Sequence, residues 1–163
     1  MAGIPLRHAS LVVASAAVLT RIVYLLQIRA SPLFDYLHLD PLYYVEWGRR
    51  VAGGAWLGDQ VFEQSPLYPY LLGAFFSLFG DGDGSLLLLR LLQLAAGVAG
   101  CVGIHLLARQ AFDARVGLVA GLLAAAYGPF LFYEAMVMKS FLTYLLSTLA
   151  LWALLRYRGT GRG

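Results

Sequence analysis

Charge is scarce in this chain of 163 residues, and cysteine is almost missing. Only 13% of the residues are Asp, Glu, Lys or Arg, against about 25% in an ordinary soluble domain. With 60% hydrophobic residues, that scarcity excludes a cytosolic globular protein, and a disordered chain equally, since so much apolar surface must be buried. The single cysteine, Cys101, excludes an intramolecular disulfide and any cysteine-based zinc or iron–sulfur site. The remaining class is an integral, all-α membrane protein.

A bilayer core of about 30 Å needs roughly 20 mostly apolar residues per helix. Four segments fit, at about 10–28, 86–108, 116–132 and 138–155. Each must be helical, because lipid offers no partner to unpaired backbone groups. Ala14-Ser15-Ala16 resembles a signal-peptidase site, but the apolar run continues through Leu25-Leu26. An uncleaved signal anchor fits better. With the N-terminus inside, Arg7, Arg109, Arg115, Arg156, Arg158 and Arg162 lie on the cytoplasmic side, and the C-terminus lies there too. Arg29, Arg49, Arg50 and Lys139 then lie outside, with Arg21 and Arg90 within spans. Asp113 is the only acid on the inner side, so the outer face carries the acidic chemistry. The terminal arginines read as a cytoplasmic anchor, and nothing suggests a nucleic-acid partner.

The connection over 29–85 is too long for a simple link between neighbouring helices. It concentrates Tyr36, Tyr43, Tyr44, Trp47, Trp56, Tyr68 and Tyr70, residues that favour a membrane–water interface. Asp40-Pro41 predicts a helix over 41–52, with Asp40 as its cap, ended by Gly53-Gly54. Glu46, Arg49 and Arg50 share one side, and Tyr44, Trp47 and Val51 another, the pattern of an amphipathic helix lying on the outer surface. Ser65-Pro66 opens a second helix over about 66–79, short for a span and therefore interfacial or re-entrant. In the second span, Ala96, Gly97, Ala99, Gly100 and Gly103 permit close helix–helix contact.

Several of these features occur in a recognisable order. Arg21 is followed by Asp40-Pro41-Leu42-Tyr43-Tyr44-Val45-Glu46-Trp47 and Gly53-Gly54. Then come Ser65-Pro66-Leu67-Tyr68-Pro69-Tyr70-Leu71-Leu72, Leu78-Phe79-Gly80, Leu89-Arg90-Leu91-Leu92, Leu107-Ala108-Arg109-Gln110-Ala111-Phe112 and Tyr133-Glu134. Over roughly residues 15–157 the chain resembles the N-terminal part of bacterial GT-C-type membrane glycosyltransferases, the protein-O-mannosyltransferase-like and lipopolysaccharide-core glycosyltransferase-like group. The resemblance implies a sugar donor on a polyprenyl phosphate and an acceptor (lipid, glycan or protein) reached from the outer face of the inner membrane. It also implies inversion at the anomeric carbon, with an acid of the first outer loop as base; Asp40 matches that position. Members of the group are longer, with more spans.

Each candidate residue has a second reading. Asp40 also suits a plain helix cap, and the two roles are compatible, because a helix N-terminus favours the ionised carboxylate. Asp35 is the rival base. Glu134 reads either as a solvated acid at the start of the fourth span or as a second catalytic-site acid orienting an acceptor or a divalent cation. A metal is not demanded, since Asp40 and Glu134 are only two candidate ligands and no spaced His cluster exists. Arg90 and Lys139 would serve a phosphate-carrying donor, or merely snorkel to the interface. Arg21, deeper in its span, is most simply paired within the bundle. His38 neighbours Asp40, whereas His105 stands alone. Tyr44 and Tyr68 read as interface anchors or as sugar-stacking rings. The competing functional readings are a non-catalytic four-span module (a truncated relative or a partner subunit) and a small transporter. The latter wants midplane polar residues that the third and fourth spans hardly supply.

Overall fold

The computed structural model describes residues 6–57 and 64–160; the side chains of Arg7, Asp35 and Arg158, and all of Arg162, lie outside the described residues. Eight helices are found among them: α1 (Leu6–Ile28), α2 (Pro32–Asp35), α3 (Asp40–Ala52), α4 (Leu67–Phe79), α5 (Asp83–Ala111), α6 (Ala114–Ala126), α7 (Gly128–Ala135) and α8 (Ser140–Thr160). α1, α5 and α8 are each long and apolar enough to cross a membrane, which makes this a multi-pass membrane protein.

The predicted third span is broken. α6 and α7 meet at a 50° bend, because Tyr127 is extended ahead of Gly128-Pro129. Pro129 has no N–H, so the carbonyl of Ala125 loses its ordinary intrahelical donor. Thr20 of α1 supplies one: its Oγ lies 2.9 Å from Ala125 O and 3.1 Å from Ala17 O, and its single proton is shared between them.

α5 is the axis of the bundle, packed against α1, α6, α7 and α8. The turn into α6 is fixed by Asp113, whose carboxylate accepts the N–H groups of Arg115 (2.7 Å) and Val116 (2.9 Å). Val13, Ala17, Cys101, Ala124 and Ala125 fill the contact of α1 with α5 and α6. Small residues dominate there, as expected where lipid-like surroundings leave close backbone approach as the main source of cohesion.

α3 and α4 lie side by side and run in the same direction, with Asp40 beside Gln64, Tyr44 beside Tyr68 and Gly48 beside Leu72. Gly73 lies so close to α3 that a Cβ on it would sit 2.4 Å from a Val51 methyl. Between the helices lie Tyr44, Val45, Tyr68, Leu72 and Phe76, joined by Leu86 and Leu89 of α5 and by Val137. Three of the aromatic residues expected at a membrane interface are therefore interior, Tyr44 at 0% exposed, Tyr68 at 2% and Trp47 at 4%, whereas Tyr36 and Trp56 are exposed. The apolar side of α3 faces α4 instead, while Glu46, Arg49 and Arg50 point away from it. Arg49 pairs with Asp81 at 2.8 Å, at the far end of α4.

Candidate functional site

Asp40 is the first residue of α3, and the cap position is held by Leu39. Leu39 takes φ 55°, a sparsely populated conformation for a branched-chain residue, which turns the chain sharply into the helix. No side chain caps this helix, so the expectation that Asp40 does so is corrected. Its carboxylate is directed elsewhere: Oδ1 accepts a hydrogen bond from Gln64 Nε2 at 3.2 Å.

Gln64 is the hub. Its Oε1 accepts the Tyr44 hydroxyl at 3.0 Å and the Lys139 ammonium at 3.1 Å. Lys139 Nζ also reaches Ser65 Oγ at 3.2 Å. One amide thus gathers Asp40 and Tyr44 from α3 and Lys139 from the turn between α7 and α8. The chemistry fixes its orientation, because an ammonium only donates and a carboxylate only accepts. Burial pushes the Tyr44 phenol above its ordinary pKa, and the neighbouring Asp40 charge adds to this. Tyr44 is therefore a hydrogen-bond donor at any physiological pH.

Tyr68 packs edge-on to Tyr44 at 5.1 Å and donates to Gln93 Oε1. Gln93 in turn donates to the carbonyls of Glu134 (2.9 Å) and Met136 (2.6 Å), tying α4 and α5 to the end of α7. Burial holds the Tyr68 phenol well above its usual pKa, Tyr44 adds to the rise, and Arg90 opposes it. With both rings enclosed, neither Tyr44 nor Tyr68 offers a face on which a sugar would stack.

Glu134 is not a solvated acid at a helix start. It is fully buried, and its carboxylate receives Arg21 Nε on Oε2 and Arg21 Nη2 on Oε1, both at 2.8 Å. Tyr144 adds a third hydrogen bond at 2.7 Å. Arg21 also donates to Ala17 O and to Cys101 Sγ. The carboxylate is seated over Gly97, where a Cβ would stand 2.1 Å from Oε2.

Arg90 is buried, its guanidinium 4.0 Å over the Phe34 ring and bonded to Phe34 O at 2.5 Å. It borders a separate cavity of about 400 Å3 with Asp83 and Leu87, so it does not snorkel into solvent. His38 stacks on Tyr36 with its ring exposed. His105 is fully buried, and neither ring nitrogen has a hydrogen-bond partner among the described residues.

A groove of about 570 Å3 runs between α5, α7 and α8, lined by Ile104, Tyr127, Phe130, Phe141 and Leu151, with Lys139 at one end. From Lys139 to Leu151 it follows α8 for about 18 Å at 1.5 Å per residue. The arrangement is a long apolar channel that ends in a cation, with an acid beyond one intervening amide.

The sequence profile of the dolichyl-phosphate-mannose-protein mannosyltransferases matches residues 63–162. The chain belongs to that family. Comparison with curated proteins and with solved structures gives no match. Lys139, Gln64, Tyr68, Arg90 and Glu134 lie within the matched mannosyltransferase segment, while Arg21, Asp40 and Tyr44 precede it. No three His, Cys, Asp or Glu side chains converge to hold a metal ion among the described residues. Glu134 is also fully engaged by Arg21 and Tyr144, so these residues do not fit a divalent ion bridging Asp40 and Glu134.

Two central residues, Gln64 and Gln93, escaped the sequence reading. Gln93 carried a usable signal, since a polar side chain within a span calls for a partner. Gln64 stood in plain view beside Ser65-Pro66, but its partners lie 24 and 75 residues away.

Proposed function

We propose that this chain is the N-terminal module of a bacterial inner-membrane glycosyltransferase that moves a sugar from a polyprenyl phosphate to an acceptor hydroxyl. What supports this reading, beside the family, is the convergence on Gln64 of Asp40 and Lys139, the latter at the mouth of the apolar groove. The groove takes the start of the polyprenyl chain, and Lys139 faces the phosphate. Asp40 accepts the proton of the acceptor hydroxyl as its oxygen attacks the anomeric carbon. The bond from that carbon to the phosphate oxygen breaks on the opposite side, so the configuration inverts. The polyprenyl phosphate leaves with its extra negative charge stabilised by the Lys139 ammonium. Both termini are cytoplasmic in this reading, and the 29–85 connection and the turn before α8 stand on the outer side.

Glu134 acts by position. Clamped by Arg21, it fixes α7 and hence the turn that carries Lys139. The test is Asp40→Asn in the full-length native polypeptide, assayed in native-host membranes with polyprenyl-phosphate mannose as donor. Transfer should fall by about 10²–10⁴-fold, the usual worth of a general base, with normal membrane insertion. Unchanged turnover would remove Asp40 from the mechanism.

A further inference from the structure

We propose that Gln64 is a positioning residue that holds Asp40 and Lys139 near one another while preventing them from forming a direct ion pair. This rests on the reading of Asp40 as base and Lys139 as the phosphate-facing cation. A carboxylate and an ammonium brought to one site attract strongly, and a direct pair would occupy the lone pairs of the base and the protons of the cation. The Gln64 side chain stands between them, donating from Nε2 to Asp40 at 3.2 Å and accepting on Oε1 from Lys139 at 3.1 Å. A neutral amide is suited to this place because it presents a donor to the anion and an acceptor to the cation at once. It stays neutral at every pH and so leaves both charges available. Tyr44 donates a second hydrogen bond to the same oxygen at 3.0 Å, which fixes the amide plane.

Among the described residues the titratable groups around this cluster are few, and His38, two residues before Asp40, is exposed and stacks on Tyr36. Tyr43 and Tyr44 belong to α3, Tyr68 to α4, and Lys139 precedes α8. Glu46, Arg49 and Arg50 lie on the opposite, exposed side of α3. The acid limb of the rate profile should therefore answer chiefly to what stands at position 64.

Two substitutions act in opposite senses. In Gln64→Glu a second carboxylate faces Asp40 and pairs with Lys139. The acid limb of kcat/KM should move up by about one pH unit, and KM for the donor should rise about tenfold. In Gln64→Met a side chain of similar length carries no donor or acceptor. Asp40 and Lys139 then relax toward each other, the acid limb should move down, and activity should fall. Gln64→Asn keeps the amide one methylene short and should retain part of the activity with an unshifted profile, even if the other two variants fold poorly.

The measurement uses the full-length polypeptide in native-host membranes, polyprenyl-phosphate mannose as the probe, and Asp40→Asn alongside. Opposite displacements of the acid limb in Gln64→Glu and Gln64→Met support the proposal, since a merely structural role would lower activity without moving the limb in opposite directions. If Asp40→Asn is inactive but neither limb moves, or Gln64→Asn behaves like Gln64→Met, the positioning role alone is overturned. Should Asp40→Asn remain active, the base assignment falls, and the positioning role with it.

Discussion

Arg21 and Glu134, separated by 113 positions in sequence, meet as two nitrogens against two oxygens in the interior of the bundle. Their side chains are 3% and 0% exposed. A buried bidentate pair is costly to assemble, but far costlier to leave half-made. Glu134→Ala or Arg21→Ala should each destabilise the detergent-solubilised protein by about 3–5 kcal/mol, as one charge is left without its counterpart. The double variant Arg21→Met with Glu134→Leu should recover most of that loss, because an apolar replacement of both partners removes the desolvation cost as well. Thermal denaturation of the three variants decides the matter. A double variant no better than the sum of the singles would mean that the pair has no role as a unit.

The seat of this pair is equally testable. Gly97→Ala would put a methyl about where the Glu134 carboxylate now stands, since the built Cβ lies 2.1 Å from Oε2. It should cost nearly as much stability as Glu134→Ala. Gly103→Ala, on the same helix, meets only a Thr148 methyl at 3.2 Å and should lower the melting temperature far less. Equal effects at the two positions would contradict the seating of Glu134 over Gly97.

Lys139 should matter to the donor before it matters to folding. Lys139→Met keeps the aliphatic stem at the end of the groove and removes the charge. KM for a polyprenyl-phosphate sugar should rise and kcat/KM should fall by about 10²–10³-fold, the scale seen when one stabilising donor is lost. Lys139→Arg should restore part of it. A variant with unaltered kcat/KM would show that the phosphate is met elsewhere.

At the turn between α5 and α6, two backbone N–H groups hold the exposed Asp113 carboxyl below the ordinary carboxylate range. A depressed folded-state pKa means that the stabilisation is fully present above the unfolded value near 3.8 and is lost as the pH falls through the folded value. Asp113→Ala should lower the melting temperature at neutral pH, and the gap from wild type should close under acid. Asp113→Asn retains a capping oxygen and should remove that acid dependence. A gap that stays constant down to pH ~2 would rule out the ionised cap.

Local signals placed much of this fold in the sequence. Asp40-Pro41 and Ser65-Pro66 announce α3 and α4, whereas the span expected over 116–132 runs through Gly128-Pro129, where α6 in fact ends. Other features are long-range. The amphipathic pattern of α3 marks a covered side, but it cannot say whether lipid or another helix covers it; here α4 does, which is why Tyr44 and Tyr68 are interior. Arg21 and Glu134 each stand out as charges that need partners, yet nothing within a few residues of either points to the other. Asp40 had an adequate local explanation as a cap, and that obscured its actual partner, Gln64.

Thr20 and Arg21 are adjacent, and they grip opposite sides of the bend at Tyr127: one reaches Ala125 before it, the other Glu134 after it. α1 is therefore a splint for a helix that cannot close its own fracture. It leaves the ribosome before α6 and α7, and its two contacts await a segment made more than a hundred residues later. Until then Arg21 must be sheltered or remain wet, so insertion of α6 and α7 has a docking step that hydrophobicity alone does not drive. The segment matched by the family profile, 63–162, contains the fracture but not the splint. Produced alone, it would carry Glu134 into the membrane without Arg21 to receive it.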